Sequence, residues 1–255
     1  MVIEDAVNLL WHSTQQRVSP PTALQKALTL TEAYQVQLGV LARRQAAGEK
    51  LAGWKIGLSA DGARKMFGLS SPISAYLLAS RHFSSGHIFS YADIRRPIIE
   101  PELCFTLNKH LAGPGVTRTQ VLSAVFAVAP AFEVVDMRVD MAADMPLGVA
   151  DGVAQWGYVT GTPLSPYPTN LDLGEVIVEM RRNGEVFAQI RGQDVIDNQI
   201  DSIAWLANHL ATYNMVLEPG QHLMTGSFTK PTPIAKGDRW EAKFSSVGTI
   251  SATFV

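Results

Sequence analysis

The sequence predicts an α+β fold, with a short helical segment ahead of a larger, strand-rich part. Apolar residues recur at helical spacing in the first fifth of the chain, and from Leu51 onward short apolar segments alternate with Gly, Pro, Asp and Asn. The C-terminal third is strand-rich and lacks the strand–helix alternation of a doubly wound parallel sheet. The boundary falls near residue 50, so 1–50 reads as an N-terminal helical segment and 51–255 as the main domain.

The elements follow in order. Ile3, Val7, Leu10 and Trp11 share one helical face over residues 3–16, and Ser19-Pro20-Pro21 ends that helix. Thr29 and Glu32 fit a capping box that opens a second helix, with Tyr34, Leu38 and Leu41 as its apolar stripe and an end near Gly48. Strands are expected over 51–58, 98–107, 131–138, 154–160, 175–182, 222–226, 239–244 and 249–254. Asn183-Gly184 between EVIVEMRR and EVFAQI is a hairpin signal. Helices are expected over 117–128 and 201–212, the latter with Ile203, Leu206, Ala207 and Leu210 on one face.

Composition excludes several functions. Among 255 residues, 47% are hydrophobic and 17% charged, with a net charge of -2 and no basic run, which argues against a nucleic-acid partner. The single Cys104 forbids an intrachain disulfide and fits a reducing, cytoplasmic setting. The opening MVIEDAVNLLWHST lacks the basic start and long apolar stretch of a signal peptide. No run reaches the ~18 apolar residues of a membrane span.

The informative residues are carboxylates in apolar surroundings. In Ile98–Leu107, strand alternation places Pro101, Leu103, Phe105 and Leu107 on one face and Glu100, Glu102, Cys104 and Thr106 on the other. Two carboxylates this close resist joint ionisation unless a cation lies between them. Oxygen-only ligation suits a hard cation such as Mg²⁺ or Mn²⁺. Glu133 sits at the centre of the apolar run Ala129–Asp136, and an unpartnered buried acid costs several kcal/mol. A third metal ligand or an ion pair to an arginine such as Arg138 would account for it. Asp136 lies on the opposite face. Lys55, in the apolar stretch Gly53–Leu58, reads as an acid/base group or a charge partner for a substrate carboxylate, if it is not a snorkelling surface lysine. Thr225-Gly226-Ser227 ends a strand in a hydroxyl-rich turn fit for carboxylate oxygens. The six histidines show no metal spacing, and no dinucleotide, Walker or nucleophile-elbow motif occurs.

In sequence order, GWKIGLS, IEPE, PAFEVVDMR, TGSFTKP and KGDR followed by GTISATFV resemble the 2-oxopent-4-enoate hydratase and 4-oxalocrotonate decarboxylase family, within the fumarylacetoacetate hydrolase superfamily. The resemblance spans nearly the whole chain. It implies a mixed β-barrel or β-roll core, making 51–255 the catalytic domain. It implies Mg²⁺ or Mn²⁺ held by Glu100, Glu102 and Glu133, and Lys55 as the catalytic residue. Leu58, Ser59, Asp151, Thr225, Ser227 and Lys230 are assigned to substrate binding, Lys230 for a second substrate carboxylate. The implied substrate is a small unsaturated 2-oxo or 2-hydroxy acid from aromatic meta-cleavage. The implied assembly is a homo-oligomer, in some cases joined to a related pathway enzyme.

Three positions depart from the family pattern. Asp151-Gly152 stands where members carry aspartate-asparagine, Asp197-Asn198-Gln199 lacks the usual histidine-proline turn, and Ile73 replaces an aspartate common in hydratases. The leading expectation is hydration of a 2-hydroxy-2,4-dienoate (2-oxopent-4-enoate or 2-oxohept-4-ene-1,7-dioate type). The alternatives are decarboxylation of a 2-oxo-3-hexenedioate (4-oxalocrotonate), acylpyruvate C–C hydrolysis, and a silent partner subunit.

Overall fold

The computed structural model describes residues 2–255. Helix α1 (Ile3–Gln15) and helix α2 (Leu30–Ala46) form the N-terminal segment. The expected capping box is present: the Thr29 amide donates to Glu32 Oε2 at 2.7 Å, and the Glu32 amide donates back to Thr29 Oγ1 at 3.3 Å. Helix α1 and one side of α2 (Ala33, Tyr34, Val36, Val40) pack into a shared cluster with Ile73 and Ala75 of the main domain, while Leu38 and Leu41 of the expected stripe join the main core. Buried Gln37 ties the two parts together by donating to the carbonyls of Ser74 (3.1 Å) and Val149 (2.6 Å).

Strands β1 (Leu51–Gly57), β2 (Ile73–Leu78), β3 (His82–Ser84) and β4 (His87–Phe89) come first, with the short helix α3 (Asp61–Met66) between β1 and β2. The long pair β5 (Pro97–Leu107) and β6 (Val125–Asp136) follows, separated by α4 (Arg118–Ala124). Next are α5 (Met145–Ala150), β7 (Gln155–Thr160), β8 (Ile177–Arg182), β9 (Glu185–Arg191) and α6 (Gln199–Ala211). Strands β10 (His222–Met224), β11 (Thr232–Pro233), β12 (Arg239–Phe244) and β13 (Gly248–Phe254) complete the chain. The larger sheet runs β2-β1-β10-β5-β6-β7-β3, with β11 pairing the start of β5, and it curls into a half barrel. The smaller runs β4-β13-β12-β8-β9.

The helix expected over 117–128 stops at Ala124, and residues 125–128 belong to β6. Val125 and Ala127 pair with Leu107 and Thr106 of β5, so ladder bonds and the β-branched, apolar run override the helical pattern. The expected strand 131–138 accordingly starts earlier and ends at Asp136.

The convex face of the large sheet, the small sheet, α4 and α6 share the main core, with Trp54, Phe105, Phe132 and Trp240 inside it. The concave face has a smaller apolar cluster of Leu77, Cys104, Ala131, Tyr158 and Met224. Strands β1 and β10 approach closely at Gly53, where a Cβ would lie 1.9 Å from the carbonyl oxygen of His222. Gly53→Ala therefore forces two central strands apart. It is expected to destabilise by about 3 kcal/mol or more, the upper end for single substitutions, read as a drop in the urea midpoint.

Candidate metal centre and substrate site

The antiparallel register places Glu100 of β5 directly opposite Glu133 of β6, and Glu102 opposite Ala131. Alternation then puts all three carboxylates on the concave face. Each offers an oxygen within 4.8 Å of the others. Glu102 and Glu133 are buried and Glu100 is half-buried. Two strands away, β1 projects Lys55 into the same group, and its Nζ donates to Glu133 Oε1 at 2.6 Å and to the carbonyl of Val153 at 2.6 Å. Glu133 thus pairs with Lys55, and Arg138 is committed to Asp151. Glu102 is oriented by the Gly226 amide, which donates to its Oε2 at 2.9 Å.

Three carboxylates share one ammonium, so full ionisation leaves two uncompensated negative charges in a buried place. Burial, then the charge of Glu133, pushes Glu100 up to about 7, against the pull of Lys55. Burial, then the charges of Glu133 and Glu100, raises Glu102 well above the carboxylate range. Burial also raises Glu133, with Lys55 opposing. A divalent oxygen-seeking cation supplies the missing charge, and three carboxylate oxygens converging on one point are the donor set it needs. The residues fit such an ion.

A pH dependence follows. These carboxylates hold protons in the folded protein that the unfolded chain releases near 4.5, so the metal-free protein loses stability as pH rises from about 4.5 through about 7. A bound divalent cation offsets that loss. The midpoint rise on adding Mg²⁺ is expected to be larger at about pH 8 than at about pH 5.5, by differential scanning fluorimetry.

The other candidate substrate residues divide into two groups. Ser59 is buried beside Gly226, where a Cβ on that glycine (φ 106°) would lie 2.1 Å from Ser59 Oγ. Leu58 precedes it at φ 54°. Their carbonyls receive Arg64 Nη1 at 3.2 Å (Leu58) and 2.6 Å (Ser59), and Arg64 Nη2 reaches Asp197 at 3.0 Å. Ser227 is half-buried, one residue from the Gly226 amide, and accepts the Thr229 amide. Ser59 and Ser227 thus flank Gly226, whose amide holds Glu102, while Leu58 packs against the cluster of the N-terminal helices. Thr225 is buried with its hydroxyl donating to the carbonyl of Leu103 at 3.2 Å, so its proton is spent within the sheet. Asp151 is paired with Arg138 and faces a cavity whose lining contains neither the three glutamates nor Lys55. Lys230 is exposed. Ile73 is fully buried opposite Gly57, two residues along β1 from Lys55, and with Val153 makes an apolar wall against that glycine.

Sequence reasoning missed two backbone groups, the Val153 carbonyl and the Gly226 amide, since neither depends on a side chain. It also missed Arg64, whose signal was only an arginine six residues past Leu58 on an unremarked helix. Nor did it find the stacked pair His82 and Tyr158, with His222 edge-on to both and its Nδ1 2.9 Å from Tyr158 Oη.

Comparison with known proteins agrees in fold and sequence. Residues 73–255 match the fumarylacetoacetate (FAA) hydrolase C-terminal family. A 2-hydroxyhexa-2,4-dienoate hydratase of Comamonas testosteroni is 33% identical over 240 residues, 93% of this chain and 90% of that protein. A 2-oxo-hept-4-ene-1,7-dioate hydratase of Escherichia coli is 35% identical over 236 residues, 89% of this chain and 88% of that protein. The 4-oxalocrotonate decarboxylase of Pseudomonas putida G7, solved with magnesium and adipate and with calcium and acetate, superposes with a TM-score of 0.92 at 28% identity, covering 100% of this chain and 99% of that one.

Proposed function

The chain belongs to the fumarylacetoacetate (FAA) hydrolase C-terminal family, and from that premise we propose that it is a divalent-metal-dependent lyase adding water to a 2-hydroxy-2,4-dienoate. The observation that carries the reading is the convergence of Glu100, Glu102 and Glu133 beside Lys55 on one buried face. Related hydratases and a metal-complexed decarboxylase support it.

Glu100, Glu102 and Glu133 hold Mg²⁺ or Mn²⁺, and the Gly226 amide keeps Glu102 aimed. Bound there, the cation supplies Lewis-acid polarisation of the substrate's carboxylate and 2-oxygen. Lys55 Nζ, fixed by Glu133 and the Val153 carbonyl, moves the proton: as an ammonium it delivers one to C5 and regains one from the 2-hydroxyl, giving the 2-oxo-3-enoate. Water then adds at C4 with a proton to C3. Ser59 and Ser227 orient the substrate carboxylate, and Leu58, Ile73 and Val153 exclude water from the far side of Lys55. Lys230 at the rim meets the second carboxylate of a dicarboxylic substrate. The protein works in aromatic meta-cleavage catabolism as a cytoplasmic homo-oligomer, a state that light scattering on the purified protein checks.

One observation favours a second reading, decarboxylation of 2-oxo-3-hexenedioate. The wall beside Lys55 is apolar at Ile73, where no carboxylate is present to position water, and loss of CO₂ needs none. The experiment is a paired assay on the dienol and on the enedioate, following ultraviolet absorbance and CO₂ together. Loss of the dienol band without CO₂ supports hydration, CO₂ release from the enedioate supports the second reading, and neither, in saturating Mg²⁺, overturns both.

A further inference from the structure

A cavity of about 330 Å³ lies between α1, α2 and the sheet, away from the carboxylates, and its lining has a surplus of positive charge. Five arginines face three aspartates across it. Most of these groups are satisfied locally. Arg138 forks onto Asp151, and Asp136 accepts the Arg96 amide at 3.0 Å. Arg44 donates to Glu49 at 2.7 Å and to Tyr76 Oη at 3.2 Å. Arg95 donates to the Ser19 hydroxyl at 3.0 Å, while Arg17 reaches Asp93 only at 4.0 Å.

Arg81 differs. It is half-buried, forms no hydrogen bond or ion pair among the described residues, and lies 4.5 Å over the ring of Trp156. Burial, then the charges of Arg17 and Arg44, lowers its pKa against the weaker pull of Glu49 and Asp93, neither of which is in direct contact with it. A second group in the same lining is also unpaired: both polar atoms of the Gln155 amide are buried without a partner. Buried polar atoms without partners are uncommon, and each costs on the order of 1–3 kcal/mol. The remaining wall is apolar, from Leu10, Val40, Leu78 and Trp156. The volume is that of a small-molecule site.

We propose that this cavity binds a small organic carboxylate with a flat apolar body, its carboxylate on Arg81 and its polar edge on Gln155. The guanidinium fork suits carboxylate geometry, and an apolar body covers the aliphatic and indole wall. The site is one peptide group from the catalytic lysine. Gly152 and Ala154 line the cavity, and the Val153 carbonyl between them receives Lys55 Nζ at 2.6 Å on the other side.

The test is isothermal titration of benzoate into the full-length protein dialysed free of divalent cations, so that no metal can bridge the ligand to the glutamates. Saturable binding at sub-millimolar concentration is expected, at least tenfold weaker for benzyl alcohol, which has the same body without the charge. Arg81→Met is expected to weaken binding at least tenfold, and Glu102→Gln, a neutral replacement within the glutamate cluster, to leave it unchanged. Absence of saturable binding at millimolar benzoate overturns the proposal, as does equal binding of benzyl alcohol. Loss of binding in Glu102→Gln with retention in Arg81→Met also overturns it, by locating the ligand at the glutamates.

Discussion

Glu102→Gln is expected to abolish metal-dependent turnover, lowering kcat/KM by about 10³ or more, while leaving the metal-free protein as stable as before or more so. The loss reflects removal of one of three charged ligands, each acting where Lewis-acid stabilisation is worth several kcal/mol. The retained stability is the discriminating half. Burial and two neighbouring acids keep Glu102 protonated without metal, so a neutral amide of the same shape replaces a neutral acid. Its carbonyl still accepts the Gly226 amide. Melting curves with and without Mg²⁺ separate the outcomes: the metal-free midpoint holds and the Mg²⁺ response disappears. A variant that keeps full activity removes the carboxylate cluster from the mechanism.

Lys55→Met is the complementary case. Turnover is expected to fall by about 10² to 10⁴, the usual contribution of a positioned acid/base group. Mg²⁺ affinity should hold or rise, because a positive charge next to Glu133 has been removed. The metal-free variant should be destabilised by roughly 3–5 kcal/mol, since Glu133 loses its buried partner, and Mg²⁺ should restore much of that. Steady-state kinetics with a Mg²⁺ titration checks all three. A parallel fall in metal affinity and turnover would assign Lys55 to holding the site together.

How much of this was legible follows from the physics of each feature. Alternation along a strand is local, so Glu100 and Glu102 could be placed on one face from spacing alone, and Glu133 was conspicuous as an acid in an apolar run. The direct pairing of Glu100 with Glu133 was not legible, because register is set by contacts between distant segments. For the same reason Glu133's cation proved to be Lys55, 78 residues away, although Arg138 lay nearer in sequence. The N-terminal helices were readable from a capping box and a stripe. Residues 125–128 were misassigned to helix because their partner strand, β5, lies outside any local window. Asp151 read as a ligand-facing acid, yet its charge is spent on Arg138 in a different cavity. The main-chain groups at Val153 and Gly226 carry no residue-type signature, so only coordinates reveal them.

The order of strands also governs how the site comes into being during synthesis. Strand β10 lies between β1 and β5, yet it is made after both, so the half barrel stays open along two facing edges until Met224 has left the ribosome. At about 5–20 residues per second, the wait after β5 is on the order of ten seconds. Over that interval the glutamates of β5 and β6 are together but lack the Gly226 amide, and Lys55 is on a strand not yet joined to theirs. If the glutamates hold the proposed cation, its complete site exists only after β10 has joined the sheet. Nascent chains that stall before β10 expose unpaired edges, which makes them clients for chaperones and proteases.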